Sequence, residues 1–163
     1  MIKAGVLTIS NKGFRGQRRD TSGPLIAEIL SKVGYRVEKQ DIVPDDHEKI
    51  AECLIDWVDN DGLRLIVTTG GTGVSPTDVT PEAMLNVIKY QIPGMAEAMR
   101  ASSLPKTPHA MLSRAMVGVR GCSLIINVPG SPDGAKENLA VVLPALSHAL
   151  AKIAVDTSDC STR

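Results

Sequence analysis

Apolar residues recur along this chain in two alternating rhythms, one of strands and one of helices. Ile2 to Ile9 (IKAGVLTI) is a β-branched run of strand length, as expected of a mostly buried first strand. Thr21-Ser22-Gly23-Pro24 is a helix start, with a hydroxyl cap and an early proline, and Leu25, Ile26, Ile29, Leu30 and Val33 follow at helical spacing up to a stop at Gly34. Tyr35 to Ile42 reads as a second strand, polar enough to lie near a sheet edge. Val43-Pro44-Asp45-Asp46 turns the chain, and Glu48 stands three residues after Asp45 in capping-box spacing. Ile50, Leu54, Trp57 and Val58 make one face of the next helix, which ends at Asn60-Asp61-Gly62.

A third strand, closing on Leu65-Ile66-Val67-Thr68-Thr69, empties into Gly70-Gly71-Thr72-Gly73. The helix after it is expected to start with Thr80 as cap and Pro81 at its first position, Met84, Val87 and Ile88 facing inward. Pro93-Gly94 breaks the chain before a short helical segment in which Met95, Ala98 and Met99 share a side; Ser102 to His109 reads as a loop. Met116 to Arg120 and Leu124 to Val128 form a hairpin around Gly121-Cys122-Ser123, so one of the two runs antiparallel to the other. The rest is helical, with Leu139, Val142, Leu143, Leu146, Leu150 and Ile153 inward, and Pro144 either kinks this helix or begins a second. This order predicts a doubly wound α/β domain over residues 1–155, its sheet mostly parallel with one antiparallel hairpin strand, and a flexible tail over 156–163.

Composition narrows the function. Eighteen basic and eighteen acidic residues cancel, and the aromatic set is one Trp, two Tyr and one Phe. Neither a basic surplus nor a row of stacking platforms is present, which argues against nucleic acid as a partner. The three cysteines are scattered, with no C-x-x-C pair to signal a zinc site or a disulfide framework. No apolar run approaches the ~18 residues of a membrane span, and Met1-Ile2-Lys3 leads straight into the first strand, so a cytoplasmic protein is expected.

Four loops leave the carboxyl ends of strands, where ligands sit in open α/β sheets: Ser10–Asp20, Val43–Asp46, Thr69–Val79 and Pro129–Asp133. The first carries Lys12, Arg15, Arg18 and Arg19, which either clamp a polyanion or form a solvated charged loop. The glycine loop matches neither common nucleotide motif: a Rossmann fingerprint begun at Gly71 would put Pro76 at its sixth position, and no lysine follows for a P-loop. It suits a bulkier anionic group. Asp78 at its edge is informative, because a carboxylate about 4 Å from a phosphate costs on the order of 4 kcal/mol at an effective dielectric near 20. A divalent cation between them reverses that sign, and hard oxygen ligands with phosphate suit Mg²⁺. Asp45 and Asp46 either supply a second metal ligand or cap a helix. His47, His109 and His148 lie in unrelated contexts, and no nucleophile–base pair is readable. The substrate is therefore expected to bring its own nucleophile, as in phosphoryl-type transfer.

With Thr68-Thr69-Gly70-Gly71-Thr72-Gly73 and Asp78-Val79-Thr80-Pro81-Glu82-Ala83, the sequence resembles the molybdopterin-binding family of molybdenum-cofactor biosynthesis. The resemblance extends through Asp20-Thr21-Ser22-Gly23-Pro24, Val43-Pro44-Asp45-Asp46, Ala110-Met111-Leu112-Ser113-Arg114 and Asn127-Val128-Pro129-Gly130-Ser131. It implies a three-layer α/β fold, a homotrimer, and adenylylation of molybdopterin by ATP with Mg²⁺, releasing pyrophosphate, with hand-over of the product to a molybdate-insertion enzyme. It implies Asp45 and Asp78 as catalytic, metal-binding carboxylates. Ser10, Thr69, Gly70, Gly71, Thr72, Gly73, Ser113, Arg114, Pro129, Gly130 and Ser131 would hold pterin and nucleotide. The alternative is a molybdopterin-binding protein of the same fold without adenylyl transfer. Many members carry an acidic residue where this chain has Asn11, which keeps hydrogen bonding but removes a charge.

Overall fold

The computed structural model describes residues 1–155; the expected tail lies outside them. Six strands form one sheet in the order β2-β1-β3-β6-β5-β4. They are β1 (Lys3–Ile9), β2 (Arg36–Val43), β3 (Leu65–Thr69), β4 (Tyr90–Gln91), β5 (Val117–Arg120) and β6 (Ser123–Val128). β2, β1, β3 and β6 run parallel, and β5 is antiparallel to both β6 and β4. The expected mostly parallel sheet with one antiparallel hairpin strand is thus what forms. β2, expected near an edge, is an edge strand, and all of its residues are exposed or half-buried.

Strand side chains alternate between two helical layers, as a period of two requires. Ala4, Val6, Leu65, Val67, Leu124 and Ile126 meet α2 (Ser22–Lys32), α5 (Pro93–Ser103) and α6 (Pro132–Val155), through Ile26, Leu30, Met99, Leu139 and Leu146. Leu7, Ile9, Ile66 and Ile125 meet α3 (His47–Asp59) and α4 (Thr80–Val87), through Ile50, Leu54, Trp57, Met84 and Val87. Each fully buried Val, Leu, Ile or Met among them contributes roughly 1.5–3 kcal/mol. Among the described residues no helix is long and apolar enough to cross a membrane.

Several element ends differ from expectation. The Ser10–Asp20 loop contains a short helix, α1 (Asn11–Phe14), capped by the Ser10 hydroxyl accepting from Gly13 N–H at 3.0 Å. Thr21 does not cap α2 with its side chain; the carboxylate of Asp20 accepts from Gly23 N–H at 3.0 Å instead. Asp46, not Asp45, caps α3, accepting from Lys49 N–H at 3.0 Å. Thr80 is the first residue of α4 rather than its cap, and its hydroxyl donates to the Gly70 carbonyl at 3.0 Å. α5 runs on to Ser103, and a 3₁₀ helix over Pro108–Leu112 occupies the end of the segment read as a loop. α6 passes through Pro144 as one element. β4 was not anticipated: its two residues are too short to show a period.

Candidate functional site

β1 connects to β2 on one side of the sheet, and the next crossover carries the chain to β3 on the other, so the topological switch point lies between the ends of β1 and β3. A cavity of about 700 Å³ opens there, and all four strand-end loops reach it. Ser10, Gly13, Arg18, Arg19 and Asp20 come from the first, Asp45 from the second, Thr69, Gly70 and Gly71 from the third, Gly130, Ser131 and Pro132 from the fourth.

The floor is glycine for a steric reason. Gly70 has φ +103°, and a β-carbon on it would lie 2.2 Å from the Ile9 carbonyl oxygen. Gly71 has φ +64°, and a β-carbon there would lie 2.2 Å from the Thr80 hydroxyl. Both conformations and both approaches exclude a side chain. Thr69, fully buried, donates its hydroxyl to the Pro129 carbonyl at 2.7 Å and so ties the third loop to the fourth. The N–H groups of Gly71, Thr72 and Gly73 make no hydrogen bond to the protein among the described residues. They remain available to an anion.

Asp45 is released from capping by the one-residue shift to Asp46. It exchanges two hydrogen bonds with Asn11, whose N–H donates to the Asp45 carboxylate at 2.9 Å while Asp45 N–H donates to the Asn11 side-chain oxygen at 3.2 Å. An amide and a carboxylate at position 11 both accept that second bond, so Asn11 preserves the geometry with one negative charge fewer. Asp78 accepts from Ser75 N–H at 2.8 Å, closing the outer part of the glycine loop. It borders neither this cavity nor the second one. Each carboxylate keeps one oxygen outside these bonds, and no cluster of three or more His, Cys, Asp or Glu fit for a metal occurs among the described residues. Two half-buried carboxylates on separate loops fit Mg²⁺, which binds through one or two carboxylates and completes its shell with water and phosphate.

A second cavity, of about 450 Å³, lies on the other side of Ser131, which borders both. Thr72, Gly73, Ser113 and Pro129 line it, with Val74 and Leu112 supplying apolar surface. Arg100 and Asn138 line it as well, and neither was singled out in the sequence. Asn138 had left a signal: with Ala135, Leu139 and Val142 it completes the buried stripe of α6, where an amide is out of place. Its NH₂ donates to the Gly134 carbonyl at 2.9 Å and the Ser103 hydroxyl at 3.2 Å. Arg100 left none; it reaches the site by donating to the Ala115 carbonyl at 2.8 Å. His109 is exposed and borders this cavity.

Arg114 takes a different part from the one expected. Its guanidinium donates to the Gly73 carbonyl at 2.7 Å and the Asp78 carbonyl at 2.6 Å, and pairs with Glu82. It borders neither cavity, and instead fastens the glycine loop to α4. Burial alone would raise the Glu82 pKa, but the Arg114 hydrogen bond and charge outweigh it and hold that carboxyl below its ordinary value. Cys53, a free thiol between layers, is pushed up to about 12 by burial and takes no part in the site.

Comparison with known proteins agrees with this architecture. A family model described as a probable molybdopterin binding domain matches residues 5–148. The chain is 41% identical to a molybdopterin adenylyltransferase of Helicobacter pylori, covering 90% of this chain and 85% of that protein. It is 41% identical to gephyrin of Dictyostelium discoideum over 91% of its length, but spans only 22% of that longer protein. The crystal structure of the molybdopterin biosynthesis enzyme MoaB from Thermus thermophilus superposes with a TM-score of 0.89 at 49% identity, over 94% of this chain and 96% of that one. By fold and by sequence across most of its length, this chain belongs to the molybdopterin-binding domain family of molybdenum-cofactor biosynthesis.

Proposed function

We propose that this protein is a molybdopterin adenylyltransferase, joining the adenylyl group of ATP to the terminal phosphate of molybdopterin. The carrying observation is the composition of the switch-point cavity. It combines a glycine floor, two arginines and the Asp20 and Asp45 carboxylates, yet no histidine or cysteine lines it. A site without a nucleophile–base pair suits a reaction whose substrate supplies the nucleophile and whose catalyst positions it and neutralises charge. An oxygen of the molybdopterin phosphate attacks the α-phosphorus of ATP; the new P–O bond forms as the bond to the β-phosphate oxygen breaks, and that electron pair leaves with pyrophosphate. The free N–H groups of Gly71, Thr72 and Gly73 receive phosphate oxygens, and Thr69 holds the third and fourth loops in register around them. Asp45 and Asp78 would hold Mg²⁺, which supplies the positive charge that lets phosphates approach these carboxylates. The smaller cavity, with apolar walls and the Asn138 amide, takes a ring.

The same reading extends to assembly as a homotrimer, to work in the cytoplasm and to delivery of adenylyl-molybdopterin to a molybdate-insertion enzyme. Incubating the protein with molybdopterin and Mg-ATP is expected to yield adenylyl-molybdopterin and pyrophosphate in equal amounts. EDTA is expected to stop turnover while molybdopterin stays bound. Binding without either product would leave a molybdopterin-binding protein of the same fold, and turnover undiminished by EDTA would remove the metal from the mechanism.

A further inference from the structure

The first loop is more tightly built than its composition suggests. After α1, Gly16 N–H bonds the Gly13 carbonyl at 3.0 Å, and Gln17 and Arg18 N–H bond the Lys12 carbonyl at 2.8 and 3.2 Å. The far end is fastened by Asp20, which accepts from the Thr8 hydroxyl at 2.7 Å, the Ser22 hydroxyl at 3.3 Å and Gly23 N–H. Between these two fastenings stand Arg18 and Arg19, exposed side by side on the cavity wall.

Three arginines are without a side-chain partner among the described residues, Arg15, Arg18 and Arg19, and of these Arg18 and Arg19 line the cavity. Arg36, Arg114 and Arg120 form ion pairs, and Arg64 and Arg100 donate to carbonyl oxygens. Among the described residues the guanidinium groups of Arg18 and Arg19 make neither kind of contact, although Asp20 is adjacent and Asp45 shares their cavity. Asp20 already accepts from three donors, and one oxygen of Asp45 accepts from Asn11 N–H. Two planar, permanently charged forks beside a glycine floor match an anion with several oxygens on adjacent centres better than a single phosphate.

We propose that Arg18 and Arg19 clamp the β- and γ-phosphates of the nucleotide and hold the pyrophosphate as it departs. The inference rests on the adenylyl-transfer reading above, and gives the larger cavity its triphosphate. As the bond between the α-phosphorus and its bridging oxygen breaks, negative charge accumulates on the pyrophosphate, and the two guanidinium groups neutralise it where it develops. No proton transfer is needed. Nucleoside monophosphate lacks the groups they grip, so its affinity is independent of them.

Calorimetric titration of inorganic pyrophosphate, ATP and AMP in the presence of Mg²⁺ tests this on the wild-type chain, on Arg18→Ala/Arg19→Ala, and on Arg15→Ala. The double variant is expected to bind pyrophosphate and ATP at least roughly tenfold more weakly, with AMP affinity and melting temperature unchanged. Arg15, in the same loop but off the cavity wall, controls for bulk charge, and its removal is expected to change each affinity by less than about twofold. Unchanged pyrophosphate and ATP affinity in the double variant, an equal loss for AMP, or an equal effect from Arg15→Ala would overturn the clamp while leaving adenylyl transfer standing. Wild-type protein that binds neither ATP nor pyrophosphate would overturn both. Should the double variant melt early, Arg18→Lys/Arg19→Lys serves instead: charge is kept but the forks are lost, and pyrophosphate affinity equal to wild type would overturn the clamp.

Discussion

In the proposed mechanism Asp78 would serve the loop and the chemistry with different atoms. One carboxylate oxygen accepts from Ser75 N–H and holds the glycine loop closed. An amide oxygen can make the same bond, so Asp78→Asn is expected to keep the melting temperature within about 1 °C, a shift well under 0.5 kcal/mol. It is also expected to abolish adenylyl transfer, because the charge that would hold Mg²⁺ is gone. Full turnover in that variant would refute the assignment. Glu82 gives a second test, in pH. Arg114 holds the Glu82 pKa in the folded protein below the ordinary carboxylate value, so the pairing adds stability at neutral pH and loses it as pH falls through the folded value. Glu82→Gln is therefore expected to lower the melting temperature at pH 7, by a difference that shrinks as pH falls through the folded pKa. A gap that persists in acid would assign the contact's worth to packing rather than charge.

At the scale of elements, the first turn of α2 depends on Asp20. Asp20→Ala removes its cap along with the Thr8 bond, and about 1–2 kcal/mol of stability is expected to go with them in a urea titration. An unchanged midpoint would show that Thr21 can take over. The elements themselves were legible: the stripe of α3 and the pleat of β1, β3 and β6 are periodic in sequence and buried in the structure, as are Ile26 and Leu30 of α2 and Met84 and Val87 of α4, whereas Val33 at the end of the α2 stripe is exposed. Their first residues were not. Asp20 caps where Thr21 was expected, Asp46 where Asp45 was, and Thr80 lies inside α4. Neighbouring Asp, Ser and Thr all have capping chemistry, and which one serves is decided by where tertiary packing turns the backbone. That shift also leaves Asp45 free to line the switch-point cavity. The glycine floor and its four loops could be found because strand ends in a doubly wound sheet converge. Arg100 could not, since it sits on a helix distant in sequence and reaches the second cavity only through side-chain geometry.

For the whole molecule, the two cavities and the chain's outer surface raise separate questions. Val74, Met111 and Leu112 stand 63%, 65% and 49% exposed, and Val74 and Leu112 also border the smaller cavity. The proposed homotrimer predicts a solution mass near roughly 52 kDa by light scattering, three times the 17.3 kDa of one chain. A mass of 17.3 kDa at working concentration would rule it out. The contact of Ser131 with both cavities has a consequence of another kind, in inhibitor design. Two chambers that share a wall residue can be bridged by one short spacer. A compound carrying a flat heterocycle at one end and a bisphosphonate at the other would enter both at once, and each head would raise the local concentration of the other. Tethering would then gain more potency than improving either head alone, and shortening or lengthening the spacer would measure the thickness of the wall.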